Sequence, residues 1–308
     1  MGNQIDIETT KKTRKSRRDD QVDMIRSIHW FYFIAGALRV DTATAIRKII
    51  ESHKSGRNRF GEPDKNEKMA LFRKGARMPN STFIDLANLA APGSRALINH
   101  VLWTVLRHQG SVAPHALAWI AQLGGRVRRL MLKTGGAVRT PATQLQLDSL
   151  VREQDLDALA ALTILFRLDQ EAENPPAMWA CSISIFQLLL LLNVTFEKGK
   201  VGTLIYRVYV DRVLKYATDG RYCRQWDLYE FENICGATEM VVYAVSRRPG
   251  QQHHRHEYNI MHAVLGDLPG QPCEITPPRR PLLDIGPPTK EGTDLEQEFQ
   301  EAKTDLSA

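Results

Sequence analysis

The sequence predicts an all-α or predominantly α protein: a multi-helix bundle, with two helical subdomains as one arrangement and at most a small C-terminal sheet. Apolar residues recur three and four positions apart along most segments, as on the buried face of an amphipathic helix. Residues that start and stop helices flank those segments, while the alternation typical of a half-buried strand is scarce. A hydrophobic fraction of 43% with 25% charged residues is typical of a globular chain.

Six helical segments are predicted in the front half. The first begins near Asp19 or Asp20, whose carboxylates suit a helix N-terminus, and continues into the aromatic block 30–34, which we expect in the core. Asp41 or Thr42 caps the second. The other four are residues 67–74, a segment from Asn80 or Ser81, one from Ser94 through Leu106, and one from Pro114 to Gly124-Gly125.

The back half is predicted to be helical as well. Thr140-Pro141 opens one helix, and Asp155 or Asp157 caps the next. An uncharged helix follows, and then a helix over about residues 201–216. Residues 226–246 fit a helix or, in their last part, a short strand.

The uncharged segment, residues 174–196, approaches the roughly 20 residues that span a bilayer. Polar side chains lie inside it, and a helix that is apolar on every face also suits the centre of a large helical bundle. We therefore favour a central buried helix near residues 177–195 over a membrane segment, and a membrane partner is the less favoured alternative.

Composition predicts four regions. Gly135-Gly136 is a flexible point, and the balance of charge changes sign near it, so we place a domain boundary there. Seven prolines within residues 269–288 indicate an extended tail. The regions are a disordered basic arm at 1–20, a basic helical domain at 21–136, a helical domain at 137–266, and a Pro-rich, acidic, disordered tail at 267–308.

The charge distribution carries the functional prediction. Residues 1–140 hold 25 lysines and arginines against 11 aspartates and glutamates, whereas residues 141–308 hold 16 against 24. Such asymmetry is typical of a chain whose basic part binds a polyanion. We therefore expect a non-enzymatic nucleic-acid-binding or regulatory protein that contacts phosphates of DNA or RNA through its basic N-terminal half.

The predicted phosphate contacts come from three places. Six cations lie in the arm, two follow the second helix cap, and three lie in a short stretch after Gly125, where a helical conformation would turn one of the three inward. The predicted nucleic-acid-binding residues are Lys11, Lys12, Arg14, Lys15, Arg17, Arg18, Arg47, Lys48, Arg126, Arg128 and Arg129.

The segment from Ile34 to Ile46 partly matches a DNA-binding helix-turn-helix. Ala35 suits the position where two such helices cross, but the turn holds Arg39 in place of glycine. Two packed helices joined by a capped turn are the favoured interpretation. In it the second helix buries Ile46, Ile49 and Ile50.

The sequence carries no motif that indicates an enzyme, a cofactor or a metal site. It lacks a phosphate-binding P-loop, a dinucleotide-binding glycine motif and the HExxH zinc motif. Histidines cluster near the back: His253, His254 and His256. We interpret them as surface histidines, with a nuclease-like phosphotransfer site as the alternative.

A third hypothesis is an adaptor that binds a protein partner through the acidic C-terminal half and has no nucleic-acid role. The four cysteines are widely spread, and the first residues lack the apolar core of a secretory signal. We therefore expect free thiols and a cytoplasmic location.

Overall fold

The computed structural model of the protein describes residues 19–52, 67–217 and 227–246. These residues form helices and turns and contain no strand, which confirms the predicted helical fold class. The helices are α1 (Asp19–Leu38), α2 (Ala43–Ile50), α3 (Lys68–Arg73), α4 (Ser81–Ala90), α5 (Ser94–Ile98), α6 (Val101–Arg107), α7 (Ala116–Ile120), α8 (Gly125–Met131), α9 (Gln144–Glu153), α10 (Leu156–Glu171), α11 (Pro175–Lys198), α12 (Gly202–Arg212) and α13 (Leu228–Ser246), with a 3₁₀ turn at Leu214–Tyr216.

The chain divides into two compact units, residues 1–99 and 100–308. The predicted boundary lay between residues 136 and 137, so the two divisions differ. The physical reason is packing within the second unit: α8 contacts both α9 and α10, which lie beyond the predicted boundary. The paired glycines that we interpreted as a flexible point close a tight hairpin instead.

The described part of the first unit packs around the aromatic block of α1. The Trp30 ring is fully buried and meets the rings of Phe72 and Phe83 edge-on, at centroid distances of 5.8 and 6.1 Å. The Ser27 hydroxyl donates to the carbonyl of Arg77 at 2.8 Å, which ties the chain after α3 to α1. Trp30, Phe31 and Ile34 therefore form the core of this unit, as the sequence predicts. Phe33 was expected there too but is 37% exposed, because consecutive residues of a helix point in different directions and only one face of α1 meets the core.

The turn between α1 and α2 holds Arg39 at the position where a helix-turn-helix commonly has glycine. Arg39 adopts a left-handed backbone with φ 54°. Its N–H donates to Gly36, and the Val40 N–H donates to Ala35, the bond pattern of a Schellman C-cap. Thr42 caps α2 by accepting from the Ala45 N–H at 3.2 Å. Two packed helices are thus joined by a capped turn.

Two expectations about residues 43–106 are corrected. Ile49 was predicted to point inward but is 42% exposed, because α2 buries the i, i+4 pair Ile46 and Ile50 and turns Ile49 aside. The single helix predicted through Leu106 is broken into α5 and α6. The His100 side chain accepts from the Leu102 N–H at 3.1 Å and so starts a new helix.

The second unit is built around α10, which packs against α6, α8, α9 and α11. Asp155, one of the two predicted caps, begins α10 by accepting from the Ala158 N–H at 2.7 Å. The Thr163 and Tyr209 hydroxyls are hydrogen-bonded at 2.9 Å inside this core. The segment 226–246, whose last part fits a helix or a short strand by sequence, is helical as α13 from Leu228 to Ser246.

The apolar helix α11 packs against α9, α10, α12 and α13. By length and composition it is the one described helix that could cross a membrane, and 61% of its most apolar window is buried inside the unit. A core helix of a helical bundle has the same length, composition and burial.

Candidate anion-binding site

Helix α8 presents arginines to solvent on most of its circumference. It buries Val127 and Met131, which are one helical turn apart, and these two side chains fill its inward face. Arg126, Arg128 and Arg129 are all exposed, so none of the three turns inward as the sequence argument required. The short helix needs only two apolar residues to dock, which leaves the other positions free to be charged.

A hairpin after α8 brings two more cations to the same place. Leu132 forms an antiparallel bridge with Val138, and the Lys133 N–H donates to Ala137 at 2.8 Å. The loop closes through Gly136, whose φ of 80° is the left-handed conformation that glycine adopts without strain. The hairpin thereby carries Lys133 and Arg139 back toward the end of α8.

The basic cluster is the set Arg128, Arg129, Lys133 and Arg139. These four side chains, with Leu132 and Thr134, line an open depression of about 360 Å³. The Arg139 Nε donates to the Leu132 carbonyl at 2.6 Å, which fixes the base of its guanidinium. Guanidinium and ammonium groups are the donors that carboxylate and phosphate oxygens accept from, which makes this depression a candidate anion site.

The electrostatic setting of the basic cluster favours an external anion. Within the described residues, no carboxylate lies within ion-pair distance of Arg128, Arg129, Lys133 or Arg139. Residues 100–147 contain six lysines and arginines and no aspartate or glutamate. Four neighbouring positive charges repel one another, and a bound polyanion relieves that repulsion.

The start of α8 is anchored by Asp157 of α10. One carboxylate oxygen lies 3.0 Å from Nε2 of His100, and the other accepts the Gly124 N–H at 2.9 Å. The hydrogen bond from His100 holds the pKa of Asp157 below its ordinary value, so this carboxylate is ionised at neutral pH. Asp157 therefore fixes the helix that carries two of the four cations.

The structure separates the predicted site residues into different roles. Arg128 and Arg129 join the basic cluster, but Arg126 pairs with Glu153 at 3.0 Å. In the other unit, Arg47 pairs with the buried Glu51 at 3.1 Å, whereas Lys48 is exposed. The remaining predicted contacts lie outside the described residues: Lys11, Lys12, Arg14, Lys15, Arg17 and Arg18.

Sequence reasoning missed Lys133 and Arg139. Their membership of the basic cluster depends on the hairpin, and the sequence signal for that hairpin was Gly135-Gly136, which also marks tight turns. For Arg47 the sequence carried a signal against a role in phosphate binding. Glu51 lies four residues after it on the same helix, which is the spacing of an intrahelical ion pair.

Comparison with known proteins identifies no relative. No protein-family model matches the chain, and no curated protein and no solved structure is detectably similar to it.

Other chemistry in the described residues is sparse. No group of three histidine, cysteine, aspartate or glutamate side chains is arranged there to hold a metal ion. The buried thiol of Cys181 donates to Asp169 at 3.7 Å, and burial raises its pKa, so it stays protonated and is a poor nucleophile. His253, His254 and His256 lie outside the described residues.

Proposed function

We propose that this protein binds nucleic acid through its phosphate backbone, with the basic cluster as a principal contact. The observation that carries the proposal is the convergence of Arg128, Arg129, Lys133 and Arg139 on one open depression. Arginine presents a planar fork of donors that matches phosphate oxygens, and lysine adds a point charge. Contacts of this kind bind strands of any sequence.

The open shape of the depression at the basic cluster favours a nucleic-acid backbone over a small molecule as its ligand. A small-molecule site encloses most of its ligand among apolar side chains, whereas this depression is open to solvent and four of its six lining residues are cations. A polymer needs only to lay consecutive phosphates across such a surface. We accordingly propose no enzymatic step at the basic cluster.

The basic arm extends the proposal to residues that the structure does not describe. Six cations within residues 11–18 supply a second set of phosphate contacts on a segment that requires no preformed pocket. We expect replacement of these six residues by glutamine to weaken binding to every sequence equally and to lower its salt dependence.

The test is the salt dependence of binding, measured by fluorescence anisotropy with labelled duplex DNA, duplex RNA and single strands. Four phosphate contacts correspond to a roughly 100-fold loss of affinity between about 50 and about 200 mM KCl. Phosphatidylserine vesicles form a parallel arm, because a lipid surface also presents phosphates. Binding to vesicles without binding to any nucleic acid, or no binding at low salt, would overturn the proposal.

A further inference from the structure

Three aromatic rings form a second surface cluster in the same unit. The imidazole of His115 stacks on the indole of Trp119 at a centroid distance of 5.3 Å and an interplanar angle of 24°. The His108 ring meets both edge-on, at 5.0 and 5.2 Å. His115 is exposed, whereas Trp119 beneath it is 7% exposed. The cluster thus presents a flat imidazole, backed by an indole, to solvent.

The side chain of His115 does not cap the helix that it precedes. His115 precedes α7 as its N-cap residue, but its side chain makes no capping hydrogen bond. The ring therefore lies over Trp119 for its packing alone. The outer surface of the ring is available to a ligand.

The loop that carries the two histidines is held rigidly from α10. Arg167 donates to the carbonyls of His108 and Gly110, the latter at 2.9 Å. Glu171 accepts from the Val112 and Ala113 N–H groups and from the Ser111 hydroxyl. Burial alone would raise the pKa of Glu171, but these three hydrogen bonds hold it below its ordinary value.

We infer that the outer face of His115 is a stacking platform for an unpaired base, which makes single-stranded nucleic acid the preferred ligand. The inference rests on the proposed function, since the basic cluster would supply the phosphate contacts to the same strand. Aromatic platforms beside positive charge are the common means by which proteins hold single strands without reading their sequence. In a duplex the faces of the bases are already stacked, so the platform has nothing to bind.

The chain places the platform and the basic cluster near each other. Nine positions separate Trp119 from Arg128, part of them within α8, so their Cα atoms lie at most about 30 Å apart. A strand within the usual range of roughly four to sixteen nucleotides per binding module is long enough to span this distance. Backbone and base contacts are then made by one continuous ligand.

The experiment compares two single strands of equal length, one of adenosine nucleotides and one of abasic sites, at the same salt concentration. Both present identical phosphates, so their difference reports the bases alone. The wild-type protein should bind the base-bearing strand at least roughly fivefold more tightly. His115→Leu should abolish this preference, while His115→Phe, which keeps a planar ring, should retain it. Circular dichroism and thermal melting establish that both variants fold.

The outcomes separate the stacking site from the proposed function. Equal binding of the two strands by the wild-type protein, or an unchanged preference in His115→Leu, overturns the stacking site and leaves phosphate binding in place. Loss of the preference in His115→Phe also overturns it, because a ring nitrogen would then be the recognising group. Failure to bind either strand overturns the stacking site, and it overturns the proposed function as well if labelled duplexes also fail to bind.

Discussion

Among the charged side chains that the structure describes, some neutralise a buried partner and others lie in solvent. Arg47 and Lys68 both pair with Glu51, which is only 5% exposed, so they neutralise a buried carboxylate. An unpaired buried charge is costly, which makes these two cations structural. Arg128 and Arg129 neutralise no buried carboxylate in the described residues, so the charge that α8 carries is left for a ligand.

Burial of His29 makes the first unit sensitive to acid. The side chain is 4% exposed, and burial lowers its pKa from 6.5 to about 4. The fold therefore holds the neutral imidazole. The stabilisation is fully present above pH 6.5 and is lost as the pH falls toward 4, by roughly 3 kcal/mol in total.

Urea titrations at several pH values measure this loss directly. His29→Gln should flatten the pH dependence of the free energy of unfolding in this window, because glutamine does not titrate. If the free energy of unfolding depends on pH equally in His29→Gln and in the wild type, the acid sensitivity does not come from His29.

Two glycines of the first unit should respond oppositely to the same substitution. Gly36 lies within α1, and a Cβ there would meet nothing within 4 Å. Gly36→Ala should therefore raise the free energy of unfolding by about 1 kcal/mol, the gain in helix propensity. Gly75 has φ +68°, and a Cβ there would lie 2.4 Å from Met24 Cγ and 2.8 Å from its carbonyl oxygen.

Gly75→Ala should lower the free energy of unfolding by about 3 kcal/mol, from backbone strain and overpacking together. Both variants are compared with wild type by urea unfolding followed by circular dichroism. A neutral effect at Gly75 would show that α3 does not end against α1 as described.

At the scale of elements, the hairpin of residues 132–139 decides whether the basic cluster exists. Its geometry depends on Gly136 in the left-handed conformation, while a Cβ at the neighbouring Gly135 meets no atom and requires no positive φ. Gly136→Ala should destabilise the hairpin by about 1 kcal/mol, whereas Gly135→Ala should be nearly neutral.

Hydrogen exchange measured by mass spectrometry reports this difference locally. The Lys133, Gly136 and Arg139 amides are hydrogen-bonded within the hairpin or to the end of α8. In Gly136→Ala the peptide that contains them should exchange roughly five times faster. Equal exchange in the two alanine variants would indicate a hairpin with a different turn.

Element boundaries show which parts of the fold a single sequence predicts. Starts with an Asp, Asn or Thr cap were found within a residue at α2, α4 and α10, because a side-chain acceptor at that position is a local signal. The break between α5 and α6 was missed, since it depends on the ring of His100, a residue type that rarely caps. Thr143, not Thr140-Pro141, caps α9.

At the scale of the whole molecule, the charge asymmetry of the sequence does not coincide with the structural units. Residues 1–99 hold 19 lysines and arginines against 11 aspartates and glutamates, and residues 100–308 hold 22 against 24. The basic cluster therefore belongs to the unit whose net charge is slightly negative. Net charge by region predicted a polyanion partner, but local arrangement determines where such a partner would contact the protein.

Two of the four residues of the basic cluster could be predicted from the sequence, because the cluster depends on local backbone arrangement as well as on charge. Arg128 and Arg129 could be identified because they are adjacent in a basic stretch. Lys133 and Arg139 could not, since only the backbone pairing of Leu132 with Val138 brings them together. Such a single bridge has no alternating pattern for a sequence argument to detect.

The most direct test of phosphate binding by the basic cluster compares two variants that lose the same charge. One carries Arg128→Ala, Arg129→Ala and Lys133→Ala, and the other carries Lys198→Ala, Arg207→Ala and Lys215→Ala, three exposed cations elsewhere in the same unit. The slope of log affinity for a nucleic acid against log salt is measured for both. We predict that the first variant lowers the magnitude of the slope by about 2 to 3 and the second by less than about 1. Equal slopes in the two variants would contradict the assignment, because net charge and not the basic cluster would then govern binding.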